Sequence, residues 1–378
     1  MLKNKIYKYL SGEIFKNFIT ILFTFTAIAW VVRAVNFLDL MVEDGFNATI
    51  YLKYTALNIT SIITRFVPLA FLISLTVSIL KFERQQELLI LWTSGLNKIK
   101  ITNIFLLIAL FITSCQIIMS LFVNPLLLNK SRALLGDTNF KIFPLLRSND
   151  FSDAFNGVTF YIGKKNSNNE LENIFIKDVG GSLNYIVGPK GKRKNVTVLA
   201  KKGFIVKDKL ILFNGTMQTL NLKDEIKNIK FKKTEIIIAE MATRTILQPK
   251  IQETSSLMLL KCIFNKNKNL KIENCSTDNY KGEVMQTLSR RSGSPLYIPL
   301  IAVLVSFLLI HKRKEKYNFL KKYVLFILTF IILILSEILL KYTGLFLLAT
   351  ISYYVFPIIV SIFFYIYLIK KITTEKMI

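Results

Sequence analysis

Apolar residues in this chain are gathered into six long runs that stand on either side of a more polar middle block. Runs of about 17 to 25 apolar residues are long enough to cross roughly 30 Å of membrane hydrocarbon as α-helices. The pattern therefore predicts six transmembrane helices, three before the block and three after it, over residues 18–38, 57–80, 102–124, 295–310, 323–341 and 345–369.

The middle block alternates apolar and polar residues over short stretches, which predicts β-strands separated by turns. Asn214-Gly215 is the strongest hairpin signal in it, because Asn-Gly favours the two-residue turn that joins antiparallel strands. Strands without an intervening helix are typical of a sandwich, a jelly roll or an open barrel. The predicted strands are residues 158–162, 171–176, 196–199, 204–206, 210–213, 217–222 and 229–238.

The layout predicts a mixed membrane protein, in which six transmembrane α-helices (3+3) carry an inserted all-β, jellyroll-like domain. The predicted regions are residues 1–125 for the N-terminal transmembrane half, 126–290 for the β domain with a helical connector, and 291–378 for the C-terminal half. The inner face of the β domain has two interpretations, a structural cap or an apolar slot for acyl chains. Alternation reports burial and leaves both open.

The formal net charge of +26 suggests an anionic partner, but much of the excess flanks the apolar runs. This placement argues against nucleic acid and predicts an orientation. Lys3, Lys5 and Lys8 precede the first run, whereas Asp39 and Asp44 follow it. By the positive-inside rule both termini are cytoplasmic and the β domain lies on the opposite, periplasmic side. The first run lacks a small-residue cleavage site, so we predict a retained helix instead of a signal peptide.

An amphipathic helix is predicted at about residues 83–96, in the loop between the second and third runs. One interpretation is an interfacial helix lying on lipid. The other is a coupling helix that docks on a cytoplasmic ATPase, with Glu87 making the polar contact. The residues assigned to this coupling role are Arg84, Glu87, Leu88, Leu91, Trp92 and Gly95.

Charged residues inside apolar runs are costly and usually face a cavity or a partner. Arg33, Arg65, Glu337 and Lys341 are such residues, and they are candidates for a cavity that binds an amphiphile with phosphates. The alternative is that they extend to the membrane surface, which suits Arg33 and Lys341 better than Arg65.

Enzyme chemistry has little support in the sequence. The chain has no G-x-x-x-x-G-K-[ST] phosphate loop, so ATP is expected to bind a partner subunit, and no cofactor or metal is expected. The single histidine, His311, lies in a basic loop and is expected to be solvated. Cys115 falls within the third run, and Cys262 and Cys275 form a possible disulfide if their compartment is oxidising.

Several motifs, in this order, resemble the LptF/LptG family of lipopolysaccharide-export permeases over nearly the whole chain. The stretch from residue 36 to 44 and the Leu-Phe-Asn-Gly215 motif are more similar to LptF than to LptG. The motifs are Tyr9-Leu10, Asn36-Phe-Leu-Asp-Leu-Met-Val-Glu-Asp44, Pro68, Arg84-Gln-Gln-Glu87, Gly95-Leu96, Gly157-Val-Thr-Phe-Tyr, Leu171-Glu-Asn-Ile-Phe-Ile, Leu210-Ile-Leu-Phe-Asn-Gly215, Glu283, Arg290, Ser294 and Pro295.

The resemblance implies a multi-pass protein of the bacterial inner membrane with a periplasmic β-jellyroll. Its implied partners are an LptG-like second permease, an LptB-like ATPase dimer, an LptC-like single-span protein and lipopolysaccharide. The implied activity is extraction of lipopolysaccharide from the outer leaflet and its transfer to a periplasmic bridge. The coupling-helix glutamate of the family corresponds to Glu87, whereas the family's cavity residues do not align with Arg33 and Arg65.

Two other functions are compatible with the layout. The first is an ATPase-coupled subunit that transmits force to outer partners without a lipid path, as in lipoprotein release or efflux. The second is a membrane-anchored scaffold whose outer domain binds only proteins.

Overall fold

The computed structural model describes residues 2–38, 41, 48–136, 148–155, 157–166, 170–179, 183, 195–206, 209–220, 226–237, 250–264, 278–310 and 318–375. The chain divides into two compact units. The first, here called the frame, comprises residues 1–33, 57–129 and 250–378. The second, here called the sheet unit, comprises residues 34–56 and 130–249.

Helices make up the frame and the first part of the sheet unit. A π-helical turn at Met119–Val123 joins α5 to α6, and 3₁₀ turns lie at Ile251–Glu253, Ser294–Leu296 and Phe307–Leu309. The α-helices are α1 (Leu2–Asn36), α2 (Ala48–Leu57), α3 (Ile59–Arg84), α4 (Glu87–Thr93), α5 (Lys98–Ile118), α6 (Asn124–Gly136), α7 (Ser256–Phe264), α8 (Asp278–Ser292), α9 (Tyr297–Ser306), α10 (Asn318–Tyr342) and α11 (Leu347–Glu375).

Six helical segments within the described residues are long and apolar enough to cross a membrane, which confirms the predicted number. The fourth begins earlier than predicted, because α8, a 3₁₀ turn and α9 follow one another without an intervening loop. Pro295 is tolerated there because it lies in the first turn, where its missing N–H has no helical partner. The segments are Lys5–Asn36, Ala48–Arg84, Lys98–Leu134, Tyr280–Leu309, Lys322–Tyr342 and Leu347–Thr374.

The core of the frame is centred on α9, which is almost entirely buried. Ile301 of α9, Phe71 of α3 and Phe105 of α5 belong to one apolar cluster. By contrast, α11 leaves large side chains such as Leu348 and Phe363 exposed. Exposed apolar faces on helices of this length suit contact with lipid or with another membrane helix.

The sheet unit contains one antiparallel sheet of six strands, which pair in sequence order as a meander. This confirms a helical membrane protein with an inserted β domain. The predicted strands at 196–199 and 204–206 are both parts of β4, and those at 210–213 and 217–222 are both parts of β5. The strands are β1 (Phe151–Phe155), β2 (Val158–Lys165), β3 (Glu170–Asp178), β4 (Asn195–Val206), β5 (Lys209–Leu220) and β6 (Ile226–Ile237).

The hairpin predicted at Asn214-Gly215 is wrong, because both residues lie inside β5. Asn214 has a left-handed backbone with φ of 52°, so it bends the strand without ending it. Gly215 pairs with Ala200 on one side and with Phe231 on the other. A Cβ at Gly215 would lie 2.3 Å from both the Leu199 carbonyl oxygen and Phe231 Cζ. The glycine is therefore needed for close packing of three strands.

Side chains in the sheet change faces halfway along the strands. In β4, Val196, Val198 and Ala200 are buried, Lys201 and Lys202 are both exposed, and burial resumes afterwards at positions 203 and 205. The neighbouring strands switch at the same level, where β3 has a left-handed Asn173 and β5 a left-handed Asn214. At this level two successive residues of β3, β4 and β5 point outward instead of alternating. We call the resulting line across the sheet the crease.

Candidate functional site

A cavity of about 510 Å³ lies within the frame, among the membrane-spanning segments. It is bounded by α3, the end of α5 with the π-helical turn, the start of α6, α8 and α10. Its walls are apolar on one part and polar or charged on another. The lining includes Phe66, Leu69, Leu128, Phe330, Leu333 and Ile334, together with Arg65, Gln116, Ser120, Asn124, Arg290, Arg291 and Glu337.

Two of the four predicted cavity residues, Arg65 and Glu337, line this cavity together. Arg290 joins them, and its Nη2 lies 3.7 Å from Glu337 Oε2. Arg33, half-buried in the last turn of α1, is within electrostatic range of Arg65 but is not among the described lining residues. Lys341 is exposed and likewise is not among them. The charges at the cavity therefore come from α3, α8 and α10.

A polar wall of the cavity is built around Thr64 of α3. Gln116 donates from Nε2 to the Thr64 carbonyl oxygen at 2.9 Å, and Asn124 donates from Nδ2 to Thr64 Oγ1 at 2.8 Å. The amide oxygens of Gln116 and Asn124 are buried and accept no hydrogen bond from the described residues. The π-helical turn between these two residues is a form often found at functional sites.

Arg291 connects α8 to the segment that leads into α7. It is 6% exposed, and its guanidinium donates to the Thr254 carbonyl at 3.1 Å, Ser256 Oγ at 2.7 Å and the Gln252 carbonyl at 2.9 Å. Ser256 in turn donates to the Leu121 carbonyl of the π-helical turn at 2.7 Å. This arginine is hydrogen-bonded chiefly to backbone oxygens, so its position fixes the connector against the cavity.

The sequence interpretation missed Arg290, Gln116 and Asn124 as cavity residues. Arg290 was noted only as part of a family motif, because it precedes the predicted fourth run and does not interrupt it. Gln116 and Asn124 carry no charge, so they stand out less than Arg65. The available signal was an Asn-Pro pair, Asn124-Pro125, at the end of an apolar run, since proline disturbs helical hydrogen bonding.

The predicted coupling segment forms a separate short helix, α4. It begins after Gln86, whose left-handed backbone (φ 59°) breaks it from α3, so Arg84 belongs to the end of α3. The helix ends at Thr93, and Gly95, the residue predicted to end it, lies just beyond with a left-handed φ of 79°. The Gly95 N–H donates to the Trp92 carbonyl and the Leu96 N–H to the Leu91 carbonyl, the pair of bonds that closes a Schellman motif.

The apolar face of α4 packs against its own chain. Leu88 and Leu91 are buried in the core of the frame, and Trp92 packs partly against it. Leu89 and Ile90 are instead 48% and 63% exposed. The exposed side chains of α4 are thus Leu89, Ile90 and Thr93, and Glu87 beside them is partly exposed.

Polar contacts tie this segment to the rest of the frame. Tyr9 of α1 donates its hydroxyl to Glu87 Oε1 at 3.0 Å. Lys81 of α3 lies 3.3 Å from Glu13 of α1. Lys322 of α10 makes an ion pair with Glu83, one turn before α4. The last contact joins the end of α3, next to α4, to α10, which forms a wall of the cavity.

The cysteines and the histidine add no catalytic centre to the described part of the chain. Cys262 is buried and disulfide-bonded, while its predicted partner Cys275 lies outside the described residues, so that pairing stays a prediction. Cys115 is a free thiol. His311 also lies outside the described residues. Among those residues, no group of His, Cys, Asp and Glu is arranged to hold a metal ion.

The model of the family described as lipopolysaccharide export system permease LptF/LptG matches residues 8–371, which is nearly the whole chain. A search of curated proteins finds no match. The family description covers both permeases, so the choice of LptF over LptG stays a prediction.

Proposed function

The chain belongs to the LptF/LptG family of lipopolysaccharide-export permeases, and on this premise we propose that it extracts lipopolysaccharide through the cavity of the frame. The cavity is the observation that carries the proposal. Its apolar residues, such as Phe330 and Leu333, suit acyl chains, whereas Arg65 and Arg290 suit phosphates through charge-assisted hydrogen bonds. A volume of about 510 Å³ lies in the range of ligand pockets but holds only part of such a lipid.

We propose that the lipid enters from the outer leaflet and leaves through the sheet unit, which we place in the periplasm. The support is the distribution of lysines, which favours cytoplasmic termini. A second, LptG-like permease would cover the exposed apolar faces of the helices and complete the lipid path. An LptC-like protein would then receive the lipid.

Energy is proposed to come from a separate LptB-like ATPase dimer that binds α4. Glu87, Leu89 and Ile90 belong to the part of α4 that such a partner can reach, while Leu88 and Leu91 anchor the helix in the frame. Docking of the ATPase would compete with Tyr9 for the Glu87 carboxylate. The ion pair between Glu83, at the end of α3 next to α4, and Lys322 of α10 would then pass a movement of α4 on to the cavity wall.

Photo-crosslinking tests the lipid path. A photoreactive residue at Phe330 or Leu333, inside the cavity, is expected to form lipopolysaccharide adducts that change with ATP. The control is Phe363, which is 64% exposed on α11 and is not among the described cavity residues. Its adducts should not respond to ATP. Absence of cavity adducts in an assembled, ATP-hydrolysing complex would refute the proposal and favour a subunit that only transmits force.

Co-purification tests the coupling role of α4. Glu87→Lys reverses the charge at the proposed contact and is expected to abolish capture of the ATPase. Glu172→Lys makes the same change in the sheet unit and should leave capture intact. Equal capture by both variants would argue for the scaffold interpretation.

A further inference from the structure

A groove of about 550 Å³ lies at the crease of the sheet. Tyr161, Phe175, Leu199 and Lys230 lie in one row across the strands, as the strand register requires. Lys201, which is also exposed, lies two residues farther along β4, level with Asn173 and Asn214. The row between these two also lines the groove, through Ile174 and Ala200 of the apolar core and Phe231 packed against it, while most of the other lining residues point outward.

Three aromatic residues, Tyr161, Phe175 and Phe231, are among the lining residues of this groove, and Phe151 packs beside the first two. The Phe151 ring lies 5.0 Å from the Tyr161 ring and 6.4 Å from the Phe175 ring, measured between centroids. Leu199 beside them is 49% exposed. Aromatic rings at an accessible surface offer flat faces to a ligand that has both polar and apolar surface.

Two lysines supply positive charge beside these rings. Lys201 and Lys230 line the groove, and neither has a carboxylate within 4.0 Å among the described residues. Lys202 is different, since it lies 3.7 Å from Glu170. Lys233 is also paired, and its bond to Glu235 is the main reason that the pKa of that carboxyl is lowered. Lys201 and Lys230 therefore have no carboxylate partner among the described residues, whereas Lys202 and Lys233 are each paired with a glutamate.

The backbone at the groove is unusual in the same place. Asn173 and Asn214 line it, and both have left-handed φ, at 54° and 52°. Such conformations cost free energy in residues other than glycine and are concentrated at functional sites. The exposed carboxamides add hydrogen-bond donors and acceptors to the two ammonium groups.

We propose that this groove binds an anionic saccharide, with a sugar ring on Tyr161 and Phe175 and a phosphate or carboxylate between Lys201 and Lys230. Lys201 and Lys230 lie two strand spacings apart and are offset by two residues along the strands, a separation of about 12 Å that two long lysine side chains can span to reach one anion. The inference rests on the proposed function, because the source of the saccharide is the head group of the exported lipopolysaccharide. The groove would guide that head group on the outer face of the sheet.

Binding of a defined oligosaccharide tests the groove. The probe is the phosphorylated core oligosaccharide made by deacylating lipopolysaccharide, and the protein is the full chain in its detergent-solubilised complex, without ATP. Lys201→Gln/Lys230→Gln is expected to weaken binding about tenfold. The control Lys177→Gln/Lys227→Gln removes the same charge from exposed positions outside the groove and should change the affinity less than about twofold.

Two further measurements separate the parts of the site. Dephosphorylated oligosaccharide should bind more weakly to the wild-type chain and lose its sensitivity to the lysine variant. Phe175→Ala should weaken both forms, by about fivefold, because it removes ring contact. All variants are compared at matched thermal stability.

Equal binding by the groove and control variants would overturn the proposal, as would no binding by wild type. Loss of a purified partner subunit from the lysine variant, with oligosaccharide binding unchanged, would also overturn it and identify a protein interface. The assay uses neither acyl chains nor ATP. The proposed function fails separately, through absence of ATP-dependent adducts at Phe330 and Leu333.

Discussion

Arg290 and Arg291, which are neighbours at the end of α8, make different contacts. Arg290 faces Glu337 across the cavity, while Arg291 is buried and donates to carbonyl oxygens of residues 252 and 254. Consecutive helical side chains point about 100° apart, so one reaches α10 and the other reaches the connector. The sequence shows only a pair of basic residues, and the separation of their roles depends on which face of α8 is packed.

Arg291→Met is expected to destabilise the protein by about 2–4 kcal/mol, because it leaves buried carbonyl oxygens without a donor. Arg290→Met removes a partly exposed ion pair and should cost less than about 1 kcal/mol. Thermal unfolding of the purified complex measures both. Equal losses would show that Arg291 is not the more important structural contact. In the export assay the order should reverse once stability is matched, since Arg290 contacts the cavity.

The sequence predicted where most of the strands lie, but not how they bend. The alternation located all strand regions from β2 to β6, because it reports which side chains are buried. It failed at Asn214-Gly215, since a left-handed asparagine can bend a strand as readily as it can end one. Adjacent lysines at 201–202 and 232–233 were the visible sign of the crease. Whether such a lysine pair marks a crease depends on how its strand pairs with the neighbouring strands, and the sequence of one strand does not show that pairing.

Gly215→Ala tests the packing at the crease. Its new Cβ would lie 2.3 Å from the Leu199 carbonyl oxygen, so the strands must separate, at a cost of about 1–3 kcal/mol. The matched control is Gly12→Ala in α1, where nothing lies within 4 Å of the added atom. That change should be neutral or stabilising by about 0.5–1 kcal/mol, because alanine favours a helix. Proteolysis of the sheet unit and thermal unfolding measure the two effects, and similar outcomes would contradict the steric argument.

The two halves of the chain form one frame. α9 from the second half is buried against α3 and α5 from the first, and the Tyr365 hydroxyl donates to Asn103 Oδ1 at 2.8 Å. Charges within apolar runs predicted Arg65 and Glu337 at the cavity, but they did not indicate that Arg290 is the ion-pair partner of Glu337. That contact joins residues distant in sequence, and it depends on how α8 and α10 pack.

Exchange of Glu83 and Lys322 tests whether the contact between the end of α3, next to α4, and α10 couples ATP hydrolysis to export. Glu83→Lys or Lys322→Glu alone places like charges together in a partly buried site, so each should reduce lipopolysaccharide export more than ATP hydrolysis. The double exchange, Glu83→Lys/Lys322→Glu, should restore export in large part. The readout is lipid released per ATP hydrolysed. Unchanged export in both single variants, or no recovery in the double variant, would exclude this ion pair as a coupling element.

The crease also constrains how this protein can change its length during evolution. Because side chains alternate along a strand, one inserted residue reverses the facing of every residue beyond it. At the crease the buried side chains of neighbouring strands change faces at the same level. An insertion or deletion in β4 alone would therefore expose apolar residues and bury lysines. Length variation among descendants of this sequence should therefore collect between strands, with the strand segments on both sides of the crease kept at constant length.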